Sequence, residues 1–301
     1  MKSLVTGATG MVGRRLLEIL DEPVVLTRDT QRCRSLLGLD NASVFYWDPA
    51  AGPPPPESLH GVKAIYHLAG EPVAEGRWTT AKRNRIRDSR VIGTRHLVQG
   101  IARADAKPDV LVSASAIGIY GDRGDEVLDE SSAPGTDFLA EVCERWEADA
   151  QAAEEFGVRV VNPRIGIVLG RHGGALAKML LPFKLGMGGR LGNGRQYMSW
   201  IHVDDLAALL RFAAQNSPLS GPICAVAPKP VTNAEFTREL AGALHRPAFF
   251  PVPGIALKLI VGQFAEVLLG SQRIVPTGAQ RVGYSYQFAK LPDALRDLLD
   301  Q

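Results

Sequence analysis

Three glycines follow the first apolar run of this chain at a fixed spacing. In Thr6-Gly7-Ala8-Thr9-Gly10-Met11-Val12-Gly13 they form GxxGxxG, directly after a strand-like segment and opening a helical one. Each has a mechanical use: Gly7 permits a tight turn, Gly10 lets backbone approach a pyrophosphate, and Gly13 lets the helix pack against the sheet. The helix start then offers free N–H groups and a positive dipole end to the anion. The chemistry implied is dinucleotide binding. Which dinucleotide is decided at the end of the second strand, where NAD meets a carboxylate and NADP a cation. The chain has Thr27-Arg28-Asp29 there, with Arg32 and Arg34 one helical turn further on. Arg28 can grip a 2′-phosphate with its planar fork, whereas Asp29 is the residue that would serve NAD. The arginine at the strand end makes NADP(H) the expected cofactor.

Further along come His67-Leu68-Ala69-Gly70, Ser113-Ala114-Ser115-Ala116 leading to Tyr120-Gly121, and His202-Val203-Asp204-Asp205. In this order they resemble the extended short-chain dehydrogenases/reductases of the NAD(P)-dependent epimerase/dehydratase superfamily. The atypical YfcH-like epimerase branch is similar over essentially the whole chain, through Phe138-Leu139-Ala140, Cys143, Trp146-Glu147, Trp200-Ile201-His202 and the stretch from Pro230 to Leu299. The resemblance implies that Gly7, Thr9, Gly10, Met11 and Val12 contact the pyrophosphate, Arg28 the 2′-phosphate and Asp48 the adenine. It also places Leu68, Ala69 and Gly70 beside the cofactor ribose, and Ser113 among the cofactor contacts. Ser115 falls at the nicotinamide and substrate carbonyl, and Pro163, Arg164 and Ile165 line the far side of the nicotinamide.

Two departures matter more than the matches. Ordinary members carry a Tyr-x-x-x-Lys pair on the helix after the serine strand, the tyrosine moving the substrate proton. With Glu147 as anchor, those positions fall on Leu139 and Cys143. An aliphatic side chain cannot relay a proton. Sugar-nucleotide epimerases also carry a diphosphate-binding arginine before the His202 position, where this chain has Met198-Ser199-Trp200, with Arg190 and Arg195 nearby. Tyr120 is the candidate replacement acid, weighed against a packing role. His202 reads as a buried structural imidazole, and Cys143, flanked by Glu141 and Glu144, as an unreactive thiol. The expected activity is NADP(H)-dependent oxidoreduction or epimerase-like chemistry on a small carbonyl or sugar-like substrate. The alternative is a non-catalytic NADP(H) sensor.

The elements that must position these groups alternate. Leu4–Thr6, Val24–Thr27, Ala64–Leu68, Val110–Ser113 and Val158–Val161 are short and apolar, as strands buried on both faces are. Helical patterns at Val12–Leu20, Asn84–Ala102 and Phe138–Phe156 separate them. Strands alternating with helices predict an α/β fold, a Rossmann-like doubly wound parallel sheet of order 3-2-1-4-5-6 with a smaller C-terminal substrate domain. Residues 1–170, with a return segment at about 198–228, are assigned to the nucleotide-binding part, and 171–197 and 229–301 to the substrate part. A helix within Ile201–Ala214 has Asp204 or Asp205 as its expected cap. The 301 residues carry 34 Lys+Arg against 32 Asp+Glu, a net charge of +2, which gives no reason to expect nucleic acid or an anionic membrane as partner. Cys33, Cys143 and Cys224 are too few and scattered for a disulfide framework or a zinc site, so no metal is expected and a cytoplasmic setting is.

Overall fold

The computed structural model describes residues 1–38 and 43–300. Among them, seven parallel strands form the central sheet. In chain order they are Lys2–Thr6, Glu22–Thr27, Ser43–Tyr46, Ala64–His67, Val110–Ser113, Arg159–Ile165 and Gly221–Ala225. Across the sheet they lie in the order 3-2-1-4-5-6-7. The expected order is therefore present, extended by one strand. A two-residue strand, Ser115–Ala116, continues alongside Arg164 and Ile165.

Side-chain alternation explains why these runs look continuously apolar. Val5, Val25, Tyr66, Val112 and Val161 face one layer, against Leu16 and Leu17 of helix Met11–Leu17 and Leu206, Leu209 and Leu210 of helix Val203–Gln215. Leu4, Val24, Ile65, Leu111 and Val160 face the other, against Leu97, Val98 and Ile101 of the long helix Thr80–Arg103. Both faces are covered, so no strand residue needs to be polar for solvent's sake.

Helix starts are set by side-chain caps. Thr79 accepts from Lys82 N–H at the head of the long helix, and Asp137 accepts from Leu139 and Ala140 N–H at the head of helix Phe138–Gln151. The cap of helix Val203–Gln215 departs from expectation. His202 supplies it, its Nδ1 accepting from Asp204 N–H at 3.1 Å. The two aspartates are engaged elsewhere: Asp204 pairs with Arg15, and Asp205 accepts from Gln287 and Phe288 N–H at 2.7 and 2.9 Å.

A third apolar cluster stands apart from the sheet. Leu176, Phe183, Met198, Trp200, Phe236, Leu240 and Leu295 build it, drawn from helices Gly174–Lys184, Asn233–Ala243 and Leu291–Leu299 and the segments between. Among the described residues, no helix is long and apolar enough to cross a membrane.

Candidate active site at the carboxyl edge of the sheet

Register brings the sequence-selected residues to one edge. Thr6 lies beside both Leu26 and His67, His67 beside Ser113, and Ser115 beside Arg164. Arg28, Leu68 and Ser115 thus leave the sheet at its carboxyl edge, where open α/β sheets place their ligands.

The glycine turn is built for close approach. Gly7 has φ +71°, and a Cβ on it would stand 2.8 Å from the Leu68 carbonyl. A Cβ on Gly13 would collide with the Gly7 carbonyl oxygen. Gly10 is solvent-facing, with ordinary φ −72°, and caps helix Met11–Leu17 without a side chain. Gly7, Gly10, Met11 and Val12 line one wall of a cleft of about 460 Å³, with Leu68 beside them and Gly174 and Lys178 opposite. Thr9 is half-buried on the same turn. The cradle fits a dinucleotide pyrophosphate: backbone is bare where a phosphate must come close.

Thr6 ties this turn to the next loop. Its hydroxyl oxygen accepts from Leu68 and Ala69 N–H, both at 3.1 Å, and its proton goes to His67 Nδ1 at 2.8 Å. The tautomer follows from that network. Nδ1 accepts, so Nε2 carries the hydrogen and donates to Thr94 Oγ1 at 3.0 Å. Burial holds this imidazole neutral, lowering its pKa from 6.5 to about 4.

At the end of the second strand, Arg28 is exposed, and no carboxylate among the described residues pairs with it. Asp29 caps helix Thr30–Leu37, its Oδ1 accepting from Arg32 N–H at 2.9 Å. Asp48 is half-buried and accepts from Ala50 N–H at 3.0 Å. Gly70 is exposed, at the far end of the Leu68–Ala69 loop.

Beyond the serine strand runs a buried polar chain. Ser115 Oγ donates to Glu147 Oε1 at 2.6 Å. Glu147 is gripped bidentately by Arg164, whose Nε and Nη2 each donate at 2.9 Å. Arg164 Nη1 reaches the Tyr120 hydroxyl at 2.9 Å, and that hydroxyl donates in turn to the Asp129 carbonyl at 2.9 Å. Tyr120 is fully buried, and burial, with the Cys224 thiol beside it, pushes its phenol well above the ordinary range. Its proton is occupied in packing. Pro163 is buried and Ile165 half-buried on the same strand, and Ser113 Oγ is buried with no hydrogen-bond partner among the described residues.

Sequence reasoning uses Glu147 only as an anchor and misses its bond to Ser115. Thirty-two residues separate them, and only the packing of helix Phe138–Gln151 on the serine strand brings them together. Leu139 lies over Gly118, where a Cβ would come within 3.3 Å of the leucine Cβ. Cys143 is buried, and burial pushes its thiol up to about 12. A Tyr-x-x-x-Lys spacing does occur near the C-terminus, at Tyr286 and Lys290. That segment is not helical, Tyr286 packs on Tyr284 at 4.9 Å, and Lys290 precedes the last helix, so the two do not share a helix face. Met198 is buried in the third cluster, and Arg190 and Arg195 are exposed. His202 is buried, with Nε2 3.3 Å from Asp297 Oδ2.

Comparisons with known proteins agree with this geometry. The NAD dependent epimerase/dehydratase family model matches residues 3–224, and a domain of unknown function, DUF1731, matches residues 252–298. A chloroplastic SDR39U1 homolog of Arabidopsis thaliana, described as an epimerase family protein, is 40% identical, covering 98% of this chain and 86% of its own. An epimerase family protein of Mycobacterium bovis is 39% identical over 97% of this chain and 95% of its own. The crystal structure of human epimerase family protein SDR39U1 with NADPH superposes with a TM-score of 0.89 at 32% identity, covering 100% of both chains. With matches of this extent, the chain belongs to the NAD dependent epimerase/dehydratase family.

Proposed function

We propose that this protein is an NADP(H)-dependent enzyme of the extended short-chain dehydrogenase/reductase type that acts on a small carbonyl substrate. The observation that carries the cofactor choice is the division of labour at the second strand end. Arg28 is exposed and unpaired among the described residues, while the neighbouring Asp29 carboxylate uses one of its oxygens to cap a helix. A 2′-phosphate would find an unpaired guanidinium in Arg28, whereas Asp29 has one carboxylate oxygen, Oδ1, held by the helix cap and only the other left for a ribose hydroxyl. The NADPH bound to human SDR39U1 supports the same choice.

When bound, NADPH supplies the hydride. The chain's own task is to hold a carbonyl and manage its oxygen. Ser115 carries the hydroxyl assigned to that oxygen: its proton, donated to Glu147 Oε1 in this structure, turns to the carbonyl when substrate binds, while the Glu147–Arg164 pair stays in place beside it. With leucine at position 139, a sugar hydroxyl has no tyrosine to take its proton, and general acid–base assistance contributes typically ~10²–10⁴ in rate. Reduction of an activated carbonyl survives that loss, because its proton can come from water. Rapid UDP-sugar epimerisation is therefore not expected.

Titrating NADPH and NADH into wild type and Arg28→Ala tests the cofactor reading. A charge-assisted bond worth about 1.5–3 kcal/mol predicts roughly ten- to a hundredfold preference for NADPH, lost in the variant. Equal wild-type affinities overturn it. NADPH oxidation is then followed with separate panels of small carbonyls and UDP-sugars. The sensor reading is favoured by one observation: the Ser115 and Tyr120 protons are both committed within the protein. Tight NADPH binding without turnover of any compound would establish it instead.

A further inference from the structure

Where the family's lysine would stand, Cys143 offers no charge, yet a cation is close by. Arg90 comes from the middle of the long helix Thr80–Arg103, not from the helix that carries Cys143. Its Nη1 donates to the carbonyls of Glu71 and Ile86, both at 3.1 Å. Its Cζ lies 5.1 Å from the centroid of the Trp146 ring, one helical turn beyond Cys143. The Arg90 charge is felt at the Cys143 thiol, which also meets Ser115. On the other side the guanidinium covers Gly70: a Cβ there would stand 3.2 Å from Cζ and 3.3 Å from Nη2. Nη2 and Nε donate to nothing among the described residues.

This half-buried guanidinium is thus anchored by one nitrogen and leaves its other donors unused. Its location says what they can meet. Gly7, at the phosphate turn, touches Leu68, and Gly70 is two residues further along the same loop. Ser115 and Arg90 both act on the Cys143 thiol, so that thiol is within reach of both. A dinucleotide whose pyrophosphate sits at the glycine turn and whose reactive ring sits at Ser115 must pass Gly70 with its second ribose.

We propose that Arg90 binds the ribose hydroxyls of the nicotinamide half of the cofactor, supplying from the neighbouring helix the cation that Cys143 has replaced. The proposal rests on the NADP(H) reading and deepens it. The unused donors, one N–H on Nε and two on Nη2, match a vicinal diol, and the bonds to Glu71 and Ile86 hold the fork in place. Glycine at position 70 lets the guanidinium lie close to the loop, since a Cβ there would press on it at 3.2 Å from Cζ.

Two ligands separate this role from a structural one. NADPH carries both halves of the cofactor, and 2′,5′-ADP carries only the adenosine half with its 2′-phosphate. Both are titrated calorimetrically into wild type, Arg90→Gln and Arg90→Met, with folding checked by thermal unfolding; either variant that folds decides. The expected result is a loss of roughly tenfold or more in NADPH affinity with 2′,5′-ADP affinity unchanged, and partial recovery of NADPH binding in Arg90→Lys. Loss shared equally by both ligands, or NADPH affinity left intact, overturns the proposal. Arg28→Ala is the opposite control, because it should weaken both. A wild type that binds neither ligand overturns the cofactor reading itself, and the role of Arg90 falls with it.

Discussion

In the proposed function Ser115 and Glu147 handle the substrate oxygen, and their partner Arg164 sets what it costs to alter them. The Glu147–Arg164 pair is buried and bidentate. Removing one member of such a pair leaves a charge without its counter-ion, which destabilises by about 3–5 kcal/mol. Glu147→Ala should lose that much in urea denaturation, while Ser115→Ala should cost less, about 1.5–3 kcal/mol, the worth of one hydrogen bond to a charged group. In kinetics the order reverses in kind. Ser115→Ala should lower kcat more than it raises KM, as expected of a group that acts mainly in the transition state. Equal stability of Glu147→Ala and wild type would mean that the pair is not closed in solution. At this scale Ser115 and Arg28 are legible in the sequence, because each sits at a strand end inside a recognisable motif. Glu147 and Arg90 are not. One carboxylate among 32 acidic residues gives no sign that it reaches a serine, and Arg90 reads as one of several charges on a helix.

Elements are legible in proportion to how far local pattern decides them. The strands with continuous apolar runs and the helices with caps fall where the pattern puts them, with ends moved by a few residues. Strand Ser43–Tyr46 escapes the pattern because four residues ending in an exposed tyrosine carry too little of it; pairing with Val24–Thr27 makes it a strand. Residue preference puts the cap of helix Val203–Gln215 on an aspartate, but tertiary demand takes Asp204 to Arg15 and Asp205 to the 287–288 backbone. The glycine turn gives the sharpest test at this scale. Gly10 has ordinary φ, and a Cβ there would meet a single atom, the Gly7 oxygen, at a tight 3.2 Å. Gly10→Val should therefore fold, as read by circular dichroism, and fail to bind NADPH. Gly13→Ala should do something different: its Cβ meets Gly7 and Ala8 backbone, which cannot swing away, so the helix must shift and stability must fall. A Gly13→Ala protein as stable as wild type would show that the helix has room to move. Normal NADPH binding by folded Gly10→Val would place the pyrophosphate elsewhere.

Across the whole molecule, the two layers around the sheet are legible in the sequence and the third apolar cluster is not. Its members come from segments scattered between Leu169 and Leu298, so no local window contains the pattern. Global stability also depends on a group buried between the layers. His67 has no exposure, receives the Thr6 proton at Nδ1, and donates from Nε2 to Thr94 on the long helix. One imidazole therefore links the first strand, the loop beside the phosphate turn and the helix that carries Arg90. Protonation would place a second hydrogen on Nδ1, facing a hydroxyl that already directs its own proton there. Burial accordingly lowers the pKa from 6.5 to about 4 in the folded state. The sign follows from proton counting: between pH 4 and 6.5 the unfolded chain binds a proton that the folded chain refuses. Stability from this group is thus complete above pH 6.5 and is lost as pH falls towards 4. A difference of that size corresponds to about 3 kcal/mol. Urea denaturation at intervals from about pH 7.5 to 4 should show this decline in wild type. Carboxylates contribute to the same slope, so the informative quantity is the difference from His67→Gln. That variant should start less stable, because it disturbs the Thr6 and Thr94 bonds, but should decline less steeply over the same interval. Parallel curves for the two proteins would mean that His67 takes up its proton as readily folded as unfolded.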